Sequence, residues 1–203
     1  MSVRNLKQLF APTSVALVGA SERPGSVGAT MLRNLREGGF AGRLFPVNPK
    51  YDTLAGLQVW PDVAHLPQAP DLAIICTPPA TIPGIVRALG ALGTRAAIVM
   101  SAGVSTARDL RGRSIKQSML DAANPYLLRI LGPNSSGLLA PGIGLNASIA
   151  VGGAAPGRLA FVSESGALMA GVLDWARTRN VGFSTFLALG DSVLLAASPA
   201  LSA

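Results

Sequence analysis

The segment SVALVGASERPGSVGATMLRNL, residues 14–35, constrains this chain more than any other stretch. A short apolar run, Val15, Ala16, Leu17 and Val18, enters a turn of glycines and small residues, and an amphipathic helical pattern follows. This is the strand–loop–helix opening of a mononucleotide-binding unit, in which backbone N–H groups and a helix N-terminus face an anionic ligand. The loop is not G-x-G-x-x-G. Ala20 and Ser21 follow Gly19, Arg23 lies inside, and the next glycines are Gly25 and Gly28.

The remaining apolar runs fit the same plan. Strands are predicted at 14–20, 43–48, 71–77, 96–102 and 128–133, with helices at about 26–38, 79–92 and 106–123 and a short one near 53–57. Strands that are continuously apolar, rather than alternating, belong to a parallel sheet covered on both faces. Crossover helices between them give right-handed βαβ units. The reading is a Rossmann-like, doubly wound α/β domain over residues 8–139. Residues 140–157 turn to Gly, Ala and Pro without a period and are expected as a linker. A second βαβ unit follows at 158–203: strand 158–163, loop ESGAL, helix 169–180 and strand 183–189. So short a piece cannot cover both faces of a parallel sheet. It is expected to be incomplete, with apolar faces that favour self-association, so a homo-oligomer stays open.

Composition narrows the class. Of 203 residues 49% are hydrophobic and 13% charged, which predicts a large core and excludes disorder. No apolar run approaches the roughly 20 residues of a membrane span. The first residues lack the apolar region and cleavage site of a signal peptide. A cytoplasmic protein without membrane contact is expected. The single cysteine, Cys76, excludes internal disulfides and a cysteine metal site, and its apolar strand predicts an inert core thiol. The net charge of +7 arises from few acids, and 14 of the 17 basic residues are Arg. Without interleaved aromatics, clusters such as ARDLRGRSIKQ read as a solvated helix face, not a nucleic-acid surface.

The strand ends narrow the ligand. A dinucleotide site with an unphosphorylated ribose needs a carboxylate at the end of the second strand. Here that edge reads FPVNPKYD and offers Asn48, Pro49 and Lys50. A lysine favours a phosphate, which leaves NADP, coenzyme A or a similar phosphorylated nucleotide. The third strand ends CTPPATIP, a stiff edge poor in N–H donors, and the fourth ends MSAGVS, a small-residue edge. Each glycine or proline alone could simply make a turn. Four such loops at the carboxyl ends of one sheet form a groove suited to a long, thin arm such as pantetheine.

The motifs VALVGASERPGSVG, FPVNPKYD, DLAIICTPPA, SAG, LGPNSSGLL, GLNAS, SESGAL and GFSTFLALGDS stand in the order found in the CoA-binding region of ADP-forming acyl-CoA synthetases. The chain resembles that region over about residues 8–192, and more distantly the alpha subunit of succinyl-CoA synthetase, which implies that residues 158–203 are the incomplete start of a succinyl-CoA-synthetase-like flavodoxin domain. GPNSSGLLAPGIGLNAS and LALGDS are most similar to Pat-type protein lysine acetyltransferases, which join such a region to a GNAT domain.

The resemblance implies coenzyme A or acetyl-CoA as ligand. Gly19, Ser21, Arg23, Gly25, Ser26 and Val27 would wrap its phosphates, and Lys50, with Asn48 and Pro49, would meet the adenosine phosphate end. Thr77 and Pro78 would flank the nucleotide, and Ser101, Ala102 and Gly103 the pantetheine. Asn134 and Ser135 would lie toward the thioester. Ser163, Ser165 and Gly166 would open a helix able to hold a phosphate or acyl carboxylate. The family usually has glutamine at the position of Glu164, whose charge would repel an anion if it turned inward.

Catalysis in the synthetases runs from acyl-CoA through acyl phosphate and a phosphohistidine to ADP. That histidine lies beyond the matched region, and ATP or ADP would need an ATP-grasp domain. The sole histidine, His65, reads as a surface residue. No catalytic residue and no metal ligand is assigned. The chain is thus expected to bind CoA or acyl-CoA without completing ligation or acetyl transfer alone. The terminal VLLAASPALSA replaces the acid-rich stretch of the family and reads as a truncated frame. Alternatives are one subunit of a split synthetase with a separate ATP-grasp chain, an NADP-binding redox module, and a gene product without a role.

Overall fold

The computed structural model describes residues 5–191. The terminal VLLAASPALSA and the end of the expected second unit lie outside the described residues.

Five parallel strands form the central sheet: β1 (Ser14–Val18), β2 (Arg43–Val47), β5 (Leu72–Ile75), β6 (Ala96–Val99) and β7 (Arg129–Leu131), in the order β2-β1-β5-β6-β7. Successive side chains feed opposite cores. Val15 and Leu17 of β1, Leu72 and Ile74 of β5 and Ile98 of β6 pack with helices α1 (Leu6–Phe10) and α2 (Val27–Glu37). Ala16, Val18, Ala73, Ile75 and Val99 pack on the other face with α3 (Ile82–Leu92) and α4 (Ile115–Ala123). That is why these strands read as unbroken apolar runs. The order reverses between β1 and β5, the topological switch point outside which such sheets bind ligands.

Three expectations are corrected. The short helix near 53–57 is a hairpin of β3 (Thr53–Leu54) and β4 (Leu57–Gln58). Ala55 and Gly56 both take positive φ, 49° and 77°, as a type I′ turn requires. The helix expected at 106–123 begins only at Ile115, capped by the Ser114 hydroxyl, which accepts from the Gln117 N–H at 3.3 Å. Before it, the Asp109 carboxylate accepts from the N–H groups of Arg111 and Arg113, both at 2.9 Å, and folds the segment into a loop.

The expected linker at 140–157 is the third. β8 (Gly137–Ala140) and β9 (Leu145–Ser148) form a buried antiparallel hairpin around the 3-10 turn Pro141–Ile143. With β10 (Pro156–Ser163) and β11 (Phe183–Ala188) they make a second sheet, β10-β11-β8-β9. Only β10 and β11, joined through α5 (Gly166–Thr178), run parallel in it. Leu138 and Ala140 face the first core, while Leu139 packs with Met169, Leu173 and Phe186 in a separate one. The hairpin therefore belongs to both units. Leu159, Val162, Leu168 and Trp175 of β10 and α5 stay half-exposed.

Asn34 fastens the hairpin to α2. It is buried, and its Nδ2 donates to the carbonyls of Ser148 at 2.7 Å and Ala150 at 3.0 Å. Asn34→Leu removes both bonds and should cost about 1–3 kcal/mol. Urea denaturation should show a lower midpoint at unchanged slope. An unchanged midpoint would remove Asn34 as a fastening.

Candidate ligand groove

The loop after β1 is built for close approach. A Cβ on Gly19 would stand 3.1 Å from the Cys76 carbonyl and from Thr77 Cγ2. One on Gly28 would stand 2.0 Å from the Gly19 carbonyl oxygen, so two hydrogens let α2 rest on the strand end. Ser26 caps α2, accepting from the Ala29 N–H at 3.2 Å and donating to the Arg23 carbonyl at 2.8 Å. The Ser21 hydroxyl accepts from the Arg23 N–H at 2.9 Å. Both serines thus shape the loop, and the N-terminus of an 11-residue helix, with its partial positive charge, is aimed past it.

A cavity of about 710 Å³ opens at the carboxyl ends of β1, β2 and β5. Gly19, Ser21, Arg23, Ser26, Val27, Asn48, Pro49, Lys50, Thr77 and Pro78 all line it. Asn48 binds two of its walls together. Its Nδ2 donates to the Ala20 carbonyl at 2.7 Å and its Oδ1 accepts from the Lys50 N–H at 3.0 Å. Arg23 and Lys50 are exposed at the rim, and among the described residues no salt bridge engages the Lys50 ammonium.

A second cavity of about 260 Å³ lies outside β6 and β7, lined by Ser101, Ala102, Asn134 and Ser135 together with Met100, Ser136 and Ile149. Val27 and Cys76 line both cavities, so the two meet at the switch point. Backbone and hydroxyl bonds fix the junction: the Ser101 hydroxyl donates to the Thr77 carbonyl at 2.6 Å, and the Asn134 N–H to the Ser101 carbonyl at 3.1 Å. The Ser135 hydroxyl is buried and donates to the Ala188 carbonyl at 2.6 Å.

The other named residues stand apart. Gly25 lines a depression of about 570 Å³ on the outer side of the loop, beside Arg33 and Arg36. Gly103 lines neither cavity of the groove. Ser163, Ser165 and Gly166 do not line it either. The Ser165 hydroxyl caps α5, accepting from the Leu168 N–H at 3.2 Å. A Cβ on Gly166 would lie 2.1 Å from Ser136 Oγ, so this helix end abuts the wall of the smaller cavity.

Cys76 is corrected in one respect: it walls the groove and is only half-buried as a residue. Loss of solvation nevertheless pushes its thiol up to about 12. Since the thiolate is the reactive form, a thiol held this far up stays protonated at neutral pH and reacts slowly. Iodoacetamide should therefore label the folded chain far more slowly than the urea-unfolded chain. Equal rates would contradict this environment.

Sequence reading missed Tyr51, Asp62, Thr81 and Ile149 as lining residues. Thr81 follows Thr77 by one turn; its hydroxyl donates to the Pro78 carbonyl at 2.8 Å and pairs with the Thr77 hydroxyl at 2.9 Å. Ile149 comes from the hairpin, which carried no periodic signal. Asp62 puts a carboxylate in the larger cavity. The His65 ring, 2.8 Å away through Nδ1, holds it below the usual carboxylate range, with help from the N–H groups of His65 and Ala64. His65 itself is exposed, as expected. Among the described residues no cluster of three or more His, Cys, Asp or Glu could hold a metal ion, and no helix is long and apolar enough to cross a membrane.

This geometry agrees with what the chain is similar to. Residues 13–141 match the CoA binding domain, and residues 156–202 match the succinyl-CoA ligase like flavodoxin domain. The chain is 36% identical to acetate–CoA ligase [ADP-forming] I of Archaeoglobus fulgidus, over 94% of this chain and 27% of that protein. It is 32% identical to acetate–CoA ligase [ADP-forming] I subunit alpha of Pyrococcus furiosus, over 92% of this chain and 41% of the subunit. Among solved structures, dinucleotide-forming acetyl-coenzyme A synthetase 1 of Ca. Korarchaeum cryptofilum, in complex with phosphate and ADP, superposes with a TM-score of 0.84 at 34% identity. That likeness covers 91% of this chain and 39% of the other. The chain thus spans between about a quarter and two-fifths of these relatives.

Proposed function

The chain belongs to the CoA binding domain family, and from that premise we propose that it binds coenzyme A and its thioesters as the N-terminal region, or a subunit, of an ADP-forming acyl-CoA synthetase. The observation that carries this reading is the meeting of two cavities at Val27 and Cys76, in a groove with Arg23 and Lys50 against the single carboxylate of Asp62 at one end and small uncharged residues at the other. A ligand with a phosphorylated nucleotide head and a thin, neutral arm matches that gradient.

The α2 N-terminus and Arg23 would take the diphosphate. Lys50 lies where the ribose phosphate would come, and the pantetheine would pass Val27 and Cys76 beside Ser101. Asn134 and Ser136 would then flank the thioester. Asn48, Ser21 and Ser26 are spent on internal bonds and act by fixing the walls. A neutral Cys76 thiol would keep the arm's passage uncharged and unreactive.

The chemical steps are proposed to need further polypeptide that carries the phosphohistidine and ATP-grasp parts, on a longer chain or on a partner. The half-exposed apolar side chains of β10 and α5 support a neighbour there. The acetyltransferase branch rests on GPNSSGLLAPGIGLNAS and LALGDS alone. We place the CoA-binding unit at 8–139 with the β8–β9 hairpin as a shared wall, and the second unit from β10 onward.

Calorimetric titration with CoA, acetyl-CoA and NADPH tests the proposal. Saturable heat with both CoA species and none with NADPH is expected. Saturation by NADPH alone would overturn it in favour of a redox module.

A further inference from the structure

The turn that follows β11 reaches back to the groove. Gly190 approaches so closely that a Cβ there would stand 2.3 Å from the Pro133 carbonyl oxygen. The next residue, Asp191, is held from four directions. Its N–H donates to that same carbonyl at 2.8 Å, and its own carbonyl accepts from Lys116 Nζ at 3.3 Å. Its carboxylate accepts from the Ser105 hydroxyl through Oδ2 at 2.7 Å and from Asn134 Nδ2 through Oδ1 at 3.2 Å.

We propose that Asp191 is a positioning residue for the narrow end of the groove, setting the Asn134 amide so that its carbonyl meets an N–H donor of the bound arm. The chemistry of the contact carries this. An ionised carboxylate only accepts, so it binds the NH₂ side of the amide and fixes which way Asn134 is turned. The carbonyl is left as the face open to a ligand, and the amide N–H groups of a pantetheine arm are donors of the right kind. Asn134 also sits at a positive φ of 57° with its N–H on Ser101, so its backbone cannot swing to compensate. Since Asp191 lies in the turn after β11, the second unit sets this end of the site. Among the described residues, no lining residue of the larger cavity bonds to Asp191.

This inference rests on the CoA reading for its ligand, and the experiment separates the two. Asp191→Ala and the isosteric Asp191→Asn are titrated with acetyl-CoA and with adenosine 3′,5′-bisphosphate, which has the nucleotide head and no arm. Asp191→Ala should weaken acetyl-CoA by about tenfold, the scale of one hydrogen bond lost, and leave the bisphosphate within roughly twofold. Asp191→Asn, which keeps an acceptor, should recover part of the loss. Equal weakening of both ligands, or of neither, would overturn the proposal. Independently of any ligand, the Asn134 side-chain amide protons should exchange slowly in ¹⁵N-labelled wild type and lose that protection in Asp191→Ala. Unchanged exchange would overturn the placement of Asn134. If wild type bound neither compound, the CoA reading would fall while the exchange result still decided the role of Asp191.

Discussion

Gly28→Ala should abolish measurable coenzyme A binding and destabilise the chain, although alanine is the better helix former. The added Cβ would lie 2.0 Å from the Gly19 carbonyl oxygen, 3.1 Å from its carbonyl carbon and 3.5 Å from Ala20 Cα. All three are backbone atoms of the loop itself, so no flexible side chain can give way. α2 must lift from β1, and the Ser26 cap and the helix N-terminus must move with it. Overpacking of this kind costs roughly 1–3 kcal/mol, against a propensity gain of up to about 1 kcal/mol. Binding suffers more, because oriented N–H groups lose their aim at the phosphates. Gly84, at the start of α3 with open space around its Cβ position, provides the contrast: Gly84→Ala should leave affinity unchanged. Wild-type affinity in Gly28→Ala would show that the loop is not the phosphate cradle.

Lys50→Glu should weaken CoA on the order of tenfold or more, the consequence of replacing one charge-assisted bond by repulsion. Lys50 is exposed at the rim, so the effect should shrink as salt rises. Dephospho-CoA adds a specific signature. If the ammonium meets the ribose phosphate, a ligand without that phosphate should bind wild type and Lys50→Glu almost alike. The double comparison isolates the single contact. Equal affinity of the two proteins for CoA itself would remove Lys50 from the site.

The fold was legible where physics gives a strong local signal. Val15 through Val18 read as a strand buried on both faces, and Val15 and Leu17 do enter one core while Ala16 and Val18 enter the other. The β8–β9 hairpin was not legible. Its four-residue strands, separated by Pro and Gly, are too short to show a period, and their burial comes from α2 and β11 far along the chain. The helix expected from 106 failed because Asp109 competes locally for backbone N–H groups. Residues 53–57 failed because a positive-φ pair closes a hairpin there.

The groove divides the same way. Strand-end loops could be gathered from topology alone, since a parallel sheet puts all its carboxyl ends on one edge. What each side chain does there could not. Asn48 and Ser135 are consumed by internal bonds, Cys76 turns from core to wall at the switch point, and Gly25 falls on the outer side of the loop. Asp191 stood in the LALGDS motif, but its role was not legible, because its partners Ser105 and Asn134 lie 86 and 57 residues away.

A crystal structure with coenzyme A bound tests the central claim most directly. The account predicts the diphosphate at the α2 N-terminus, Lys50 against the ribose phosphate, and the arm passing between Val27 and Cys76 toward Asn134. A groove left empty at saturating ligand, or Lys50 turned into bulk solvent beside a bound nucleotide, would contradict it.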